Sequence, residues 1–263
     1  MTLTGHRMQA WPAGETQGLY GCTRDLYGRL ICAIVAHSIA DETQVDTRPD
    51  RRQAILLAAE KLLAQKGYHA VSIRQIAQEA GVPLALVGYY FGPKQALFHA
   101  IFERWQGTIE ERLVLLRQAQ QARPGRVRVR CIVEAFLEPV LRMRASAEGE
   151  YYALLVAREL AYRTPEADRV LADYFDPMAH AFIDPLCEAC PGNQRGDAAW
   201  AYQFALGALI HHMSDHRITR LSRGASRAND PAAAVLLVRF ITDGVLAVLS
   251  PATRRSTPSK PSP

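Results

Sequence analysis

Cysteine is scarce. The five residues Cys22, Cys32, Cys131, Cys187 and Cys190 are few and odd in number, which argues against a disulfide scaffold. Long apolar runs are missing too, since none reaches the roughly 18–20 residues a bilayer-crossing helix requires. There is no P-loop, nucleophile elbow, dinucleotide fingerprint or zinc-protease motif. The expectation is therefore a soluble cytoplasmic protein with no membrane partner, no enzymatic activity, no cofactor and no metal. Neither charge dominates, because 31 Lys and Arg against 26 Asp and Glu leave a formal +5. That balance does not by itself establish nucleic-acid binding. What the chain has is 263 residues, 49% of them hydrophobic, enough for a substantial core and long for one domain.

Its organising stretch is Ser72 to Lys94, SIRQIAQEAGVPLALVGYYFGPK. Ile73, Ile76, Ala77 and Ala80 give a first short helix one apolar face. Ser72 stands at its N-cap, and Gly81 is placed to end it in the left-handed conformation. Pro83 opens a second helix, whose apolar face continues through Leu84, Val87 and Phe91. Two short helices with one glycine between them make a helix-turn-helix, which lays its second helix into a major groove. From Thr47 to Lys94 seven basic side chains face three acidic ones, so most of the chain's excess positive charge lies here.

From about Arg51 to Leu97 the chain resembles the TetR/AcrR family of transcriptional regulators. The residues that carry the resemblance are the helix RRQAILLAAEKLLAQKGYHAV, then SIRQIAQEAGV, then YYF and Lys94. The resemblance implies an all-α fold: an N-terminal three-helix helix-turn-helix domain followed by a helical ligand-binding and dimerisation domain. Two departures, Gly88 where the family usually has tyrosine and Tyr90 where it often has histidine, prevent any operator preference from being carried over. Ser72 and the N-terminus after it are suited to a phosphate, and Arg74 to a phosphate or a guanine edge. Pro83, Leu84, Ala85, Gly88 and Tyr89 are assigned to the groove side, where apolar contacts to thymine methyls and DNA shape would carry the reading. Tyr90 and Lys94 are assigned to phosphates.

Segment 1–46 fits the family poorly and is expected to be a poorly ordered or accessory extension. Its stretch Leu30 to Ala40 mimics a signal peptide, but the DNA-binding segment downstream argues against export. The expected domains are 47–93 for DNA binding and 94–250 for regulation, with 251–263, rich in Pro and Ser, a disordered tail. Asp50 is placed to cap the first helix, and Gly67 to end it. A long helix from Lys94 carries the stripe Leu97, Ile101, Trp105, Ile109, Leu113 and Leu116. Further helices are expected over 127–144, 148–163, 165–190, 197–221 and 231–249, the third kinked or divided at Pro177 and Pro185. Ala201, Phe204, Ala205 and Ala208, with Val235, Val238, Ile241 and Val245, are the expected homodimer interface, because the last helix is apolar on more than one face. Such a dimer would read a palindromic operator in double-stranded DNA.

The resemblance also implies a pocket among the central helices for a small-molecule effector of unknown identity. Trp105, Tyr151, Tyr152, Arg158, Tyr162, Tyr174, Phe175 and His211 are its candidate lining, with Arg158 and His211 favouring an anionic or polar group. A rival within the class is a redox- or metal-responsive regulator using Cys187, Cys190 and the histidines from His211 to His216. A rival outside it is a helical ligand carrier that no longer reads DNA.

Overall fold

Capping chemistry sets the first boundaries. Helix α1 (Arg51–Lys66) begins where the Asp50 carboxylate accepts the backbone N–H groups of Arg52 and Gln53, and stops at Gly67, whose φ of 86° a side chain would resist. Helix α2 (Ile73–Glu79) opens with a reciprocal capping box between Ser72 and Gln75. Gly81, at φ 65°, turns the chain into α3 (Leu84–Phe91), with Pro83 at its N-cap. Then follow α4 (Lys94–Arg104), α5 (Gln106–Ala119), α6 (Arg126–Arg144), α7 (Ala147–Tyr162) and α8 (Pro165–Val170). A π turn (Leu171–Phe175) leads to α9 (Asp176–Ala189), α10 (Arg195–Ser214), α11 (Ile218–Leu221) and α12 (Pro231–Val248).

This computed structural model describes residues 50–162, 164–228 and 230–250, apart from the side chains of Ala147 and Tyr162. The expectations placed on 1–46, on 251–263 and on the Tyr162 side chain lie outside the described residues. Among the described residues the regular elements are all helical, as an all-α fold requires.

Three sequence expectations change. The helix from Lys94 is not continuous. It breaks at Trp105 (φ −95°, ψ 5°), where the indole N–H donates to Glu60 across the core instead of following a straight helix. The span 165–190 divides before Pro177 as expected, since Pro177 has no N–H to bond the Asp173 carbonyl and the chain widens into the π turn there; the change is at Pro185, which stays inside an unbroken α9. The span 197–221 ends early because the Asp215 carboxylate turns back onto the Arg217 backbone N–H (2.9 Å) and guanidinium, leaving Asp215 extended.

Two hydrophobic clusters fill the interior. The first gathers Ile55, Leu63, Ile76, Val87, Leu97, Phe98, Ile101 and Phe102, and takes Tyr152, Leu155 and Val156 from α7. The second joins α5, α6, α9, α10 and α12 around Ile132, Phe136, Phe182 and Leu209. Met143, Tyr174, Phe175 and Ile210 pack against both. Helix α4 is thus part of the first cluster, which draws again on α7 further along the chain.

One further expectation is corrected. Helix α12 spans 18 residues at mean hydropathy 1.8, long and apolar enough to cross a membrane by length and composition, contrary to the reading that no run qualifies. It lies against α6 and α10 and buries Ile241 and Val245 in the second cluster.

Candidate nucleic-acid interface and interior cavity

Helix α3 is held from behind. Val87 and Phe91 are buried, while Pro83, Leu84, Ala85, Gly88, Tyr89 and Tyr90 are exposed, Tyr89 at 80%. The expected groove-facing set therefore lies on one open face, with the Tyr89 and Tyr90 rings edge to face at 5.2 Å. Arg74 is exposed on α2. The Ser72 hydroxyl is already engaged, accepting the Gln75 N–H at 3.2 Å and donating to the Gln75 side-chain oxygen at 2.9 Å. Lys94 is half-buried: its ammonium donates to the Tyr68 carbonyl and sits 4.1 Å from the Tyr68 ring centre, and desolvation lowers its pKa. It braces the link between α1 and α2, with further N–H bonds left for a phosphate. Sequence reasoning passed over Arg52, whose guanidinium lies over the Phe91 ring at 5.1 Å and joins the start of α1 to α3.

Gly88 costs the helix conformational entropy, and a methyl group added there meets nothing within 4 Å. Gly88→Ala should raise stability by about 0.5–1 kcal/mol, measured by urea denaturation. Loss of DNA affinity in the same variant would mark Gly88 as a point of close groove approach; unchanged affinity would remove it from that set.

A cavity of about 190 Å³ lies between α5, α6, α7, α9 and α10. Trp105, Tyr152 and Phe175 line it as expected, and the Trp105 and Tyr152 rings stack at 5.2 Å. The other described candidates lie elsewhere. Tyr151 faces a groove beside Lys61 and Glu79, and Tyr174 packs on Phe102. Arg158 reaches the C-terminal end of α1, donating to the Gln65 carbonyl at 3.2 Å. The His211 side chain is 71% exposed, 3.2 Å from Asp215. The anion-binding role expected of Arg158 and His211 has no basis in this geometry.

The residue sequence reasoning missed is Arg112. It lines the cavity, is 5% exposed, and its Nε and Nη2 have no hydrogen-bond partner. Its guanidinium lies over Phe136 at 4.3 Å and near Phe182 at 6.0 Å. Among the described ion pairs none includes it. Burying an unpaired cation costs several kcal/mol, and a desolvated cation–π contact returns only about 2 kcal/mol. Desolvation accordingly lowers its pKa to about 10, with Tyr202 and Tyr152 nearby opposing the shift. The signal was present in the sequence, as Arg112 falls on the buried stripe between Ile109 and Leu116.

The cavity is wired to α1. Trp105 donates its indole N–H to the Glu60 Oε2 at 3.1 Å, and Arg104 Nη1 donates to the same oxygen at 2.9 Å. Glu60 is buried, and burial raises its carboxyl pKa while Trp105 and Arg104 pull it down.

The histidine cluster does not converge. His211 faces Asp215, and His216 Nε2 lies 3.0 Å from an Arg144 nitrogen. Among the described residues no group of three or more His, Cys, Asp or Glu side chains could hold a metal ion. Cys187 and Cys190 are free thiols, and burial pushes the Cys190 pKa up, away from the reactive thiolate.

An exposed second helix in a helix-turn-helix, joined through a buried network to a helical body with its own cavity, defines a DNA-binding regulator. Comparison with known proteins agrees. The family model described as bacterial regulatory proteins, tetR family, matches residues 55–101, and the tetracyclin repressor-like C-terminal domain matches residues 134–244. The HTH-type transcriptional regulator BetI of Rhizobium meliloti is 29% identical over 150 residues, covering 57% of this chain and 71% of that protein. The HTH-type transcriptional repressor BdcR of Escherichia coli is 25% identical over 198 residues, covering 74% and 96%. The crystal structure of Mycobacterium smegmatis AmtR superposes with a TM-score of 0.51 at 21% identity, covering 79% of this chain and 89% of that one, a likeness of fold. The two matched domains together span more than half of the sequence, and the chain belongs to the TetR family of transcriptional regulators.

Proposed function

We propose that the protein is a cytoplasmic homodimeric repressor that leaves a palindromic operator when a small molecule enters the cavity of its regulatory domain. The observation that carries this reading is Trp105. Its side chain lines the cavity, and its N–H is bonded to Glu60 on the first helix of the DNA-binding domain. A ligand that displaces Trp105 would shift α1, and with it the helix-turn-helix, toward a spacing that no longer fits two half-sites. The DNA-binding reading of Ser72, Arg74, Pro83, Leu84, Ala85, Gly88, Tyr89 and Tyr90 is supported by their exposure, while Lys94, half-buried, serves mainly to hold Tyr68.

The dimer reading is supported by the outer face of α10 and α12. Ala201, Ala205, Ile241 and Val245 are buried in the chain's own core, so they offer no surface to a second copy. Phe204 and Val235 are exposed, at 58% and 69%, and Trp200, Leu236 and Phe240 join them in an apolar patch. The expected interface thus keeps its two helices but rotates by about one residue, because the small alanines are used for packing inside the subunit. A membrane is not needed to explain the apolar length of α12.

The test is binding of the purified chain to DNA upstream of its own gene across a salt series. Affinity should fall steeply with salt, by a log–log slope near −0.9 for each phosphate neutralised. Tyr89→Ala should weaken specific binding by roughly ten- to a hundredfold, the scale of one good base contact, and leave weak non-specific binding unchanged. Salt-insensitive binding, or an unaffected Tyr89→Ala variant, would contradict the assigned surface.

A further inference from the structure

We propose that the cavity is a receptor for small monocarboxylates with an apolar, ring-sized body, the carboxylate meeting Arg112. The proposal rests on reading this cavity as the effector site. Three observations select that chemistry.

The first is charge. Arg112 is a buried cation with two unpartnered donors, Nε and Nη2. On a guanidinium these form one edge with two parallel N–H bonds, the spacing that the two oxygens of a carboxylate match. Stacking on Phe136 at 4.3 Å fixes the plane of that edge. The other charged residue lining the cavity, Asp176, is exposed, where water screens it.

The second is the wall. Trp105, Val156, Met178 and Met213 make the lining largely apolar. An inorganic anion would pair with Arg112 but gain nothing from that wall. A hydrocarbon would fill the wall and leave the cation unpaired. A carboxylate on an apolar body satisfies both.

The third is size. An apolar cavity of about 150 Å³ holds one benzene ring, and this one is about 190 Å³. Tyr152 and Tyr202 line the same cavity as Arg112, adding two phenol rings to its wall.

The experiment is thermal melting and fluorescence titration of the full chain with benzoate, phenylacetate and hexanoate, each beside its own amide, with inorganic phosphate as the charged control. At least one acid should raise Tm in a saturable way. Its amide should bind roughly thirtyfold more weakly, as expected for losing a charge-assisted hydrogen bond, and phosphate should bind no better than the amide. Arg112→Met should remove the difference between acid and amide without lowering the Tm of the unliganded chain. A merely structural arginine would lower it. Arg112→Lys should keep part of the preference. Three results would overturn the proposal: no acid binds, the amides match the acids, or Arg112→Met keeps the preference. The comparison of acid with amide on the parent chain decides the matter even where Arg112→Met does not fold. Should an acid bind through Arg112 without releasing the operator, the site stands and the effector reading fails.

Discussion

A chain carrying Phe240→Asp should run as a monomer at concentrations where the proposed dimer of the parent forms, and its operator affinity should fall about a thousandfold or more. Phe240, Leu236 and Val235 stand 69%, 66% and 69% exposed on α12, beside Trp200 and Phe204 on α10, whose rings stack at 5.6 Å. So much apolar surface in one patch is the mark of an interface. Fully burying one phenylalanine side chain is worth about 1.5–3 kcal/mol, and a two-fold interface loses it twice. The substitution also brings in two carboxylates that would be buried without partners. Together these exceed about 4 kcal/mol, or three powers of ten in the association constant. Because Phe240 faces outward, the monomer itself should keep its Tm. Sedimentation velocity and operator titration are the measurements; an intact dimer would place the interface elsewhere, and a monomer with full affinity would remove the need for a palindrome.

Arg104→Ala should destabilise the chain by about 3–5 kcal/mol at pH 8, the usual effect of breaking a buried ion pair, and by much less at pH 5. Glu60 is 1% exposed, its Oε1 has no partner, and its Oε2 holds both Arg104 and Trp105. Burial already raises the Glu60 pKa, and loss of Arg104 removes two of the influences that lower it. The sign follows from linkage. A carboxyl whose folded pKa lies above its unfolded value binds more protons when folded, so stability drops as pH rises from the ordinary carboxylate range through the raised value. As pH falls through that raised value the variant protonates Glu60 and escapes most of the penalty. The Arg104 contact with Glu148 adds little, since Glu148 is half exposed. Glu60→Gln combined with Arg104→Ala should recover most of the loss, because no buried charge is left to be stranded. Urea denaturation at both pH values would decide, and a deficit independent of pH would show that Glu60 is not its source.

The start of the DNA-binding domain was legible because its signals are local. Asp50, Ser72, Gly67 and Gly81 act within a few residues of themselves, and the spacing of Ile76, Val87 and Phe91 fixes which side of each helix is buried. What could not be read depends on partners distant in sequence. The break at Trp105 is made by Glu60, and the end of α10 by a turn from Asp215 to Arg217 that competes with the helix. The candidate cavity was half legible: aromatic residues near one another in the chain include those that line it, but Arg158 and His211 drew attention as polar residues and proved to serve α1 and the surface. Arg112 shows the reverse. A cation on an apolar stripe is the more telling sign, since only a buried position makes its charge expensive. Alanine-rich positions on α10 misdirected the interface for a related reason, because small residues allow close approach inside a subunit as readily as between two.

The two hydrophobic clusters share Met143, Tyr174, Phe175 and Ile210, and the first is completed by Tyr152, Leu155 and Val156 of α7. The helix-turn-helix is therefore not a transferable module. Cut from the chain before α7, it would expose one side of Phe98, Phe102 and their neighbours to water. A chimera that joins this reader to another regulator's body must carry the matching surface of α7 with it. Modularity here ends not at a linker but at a face.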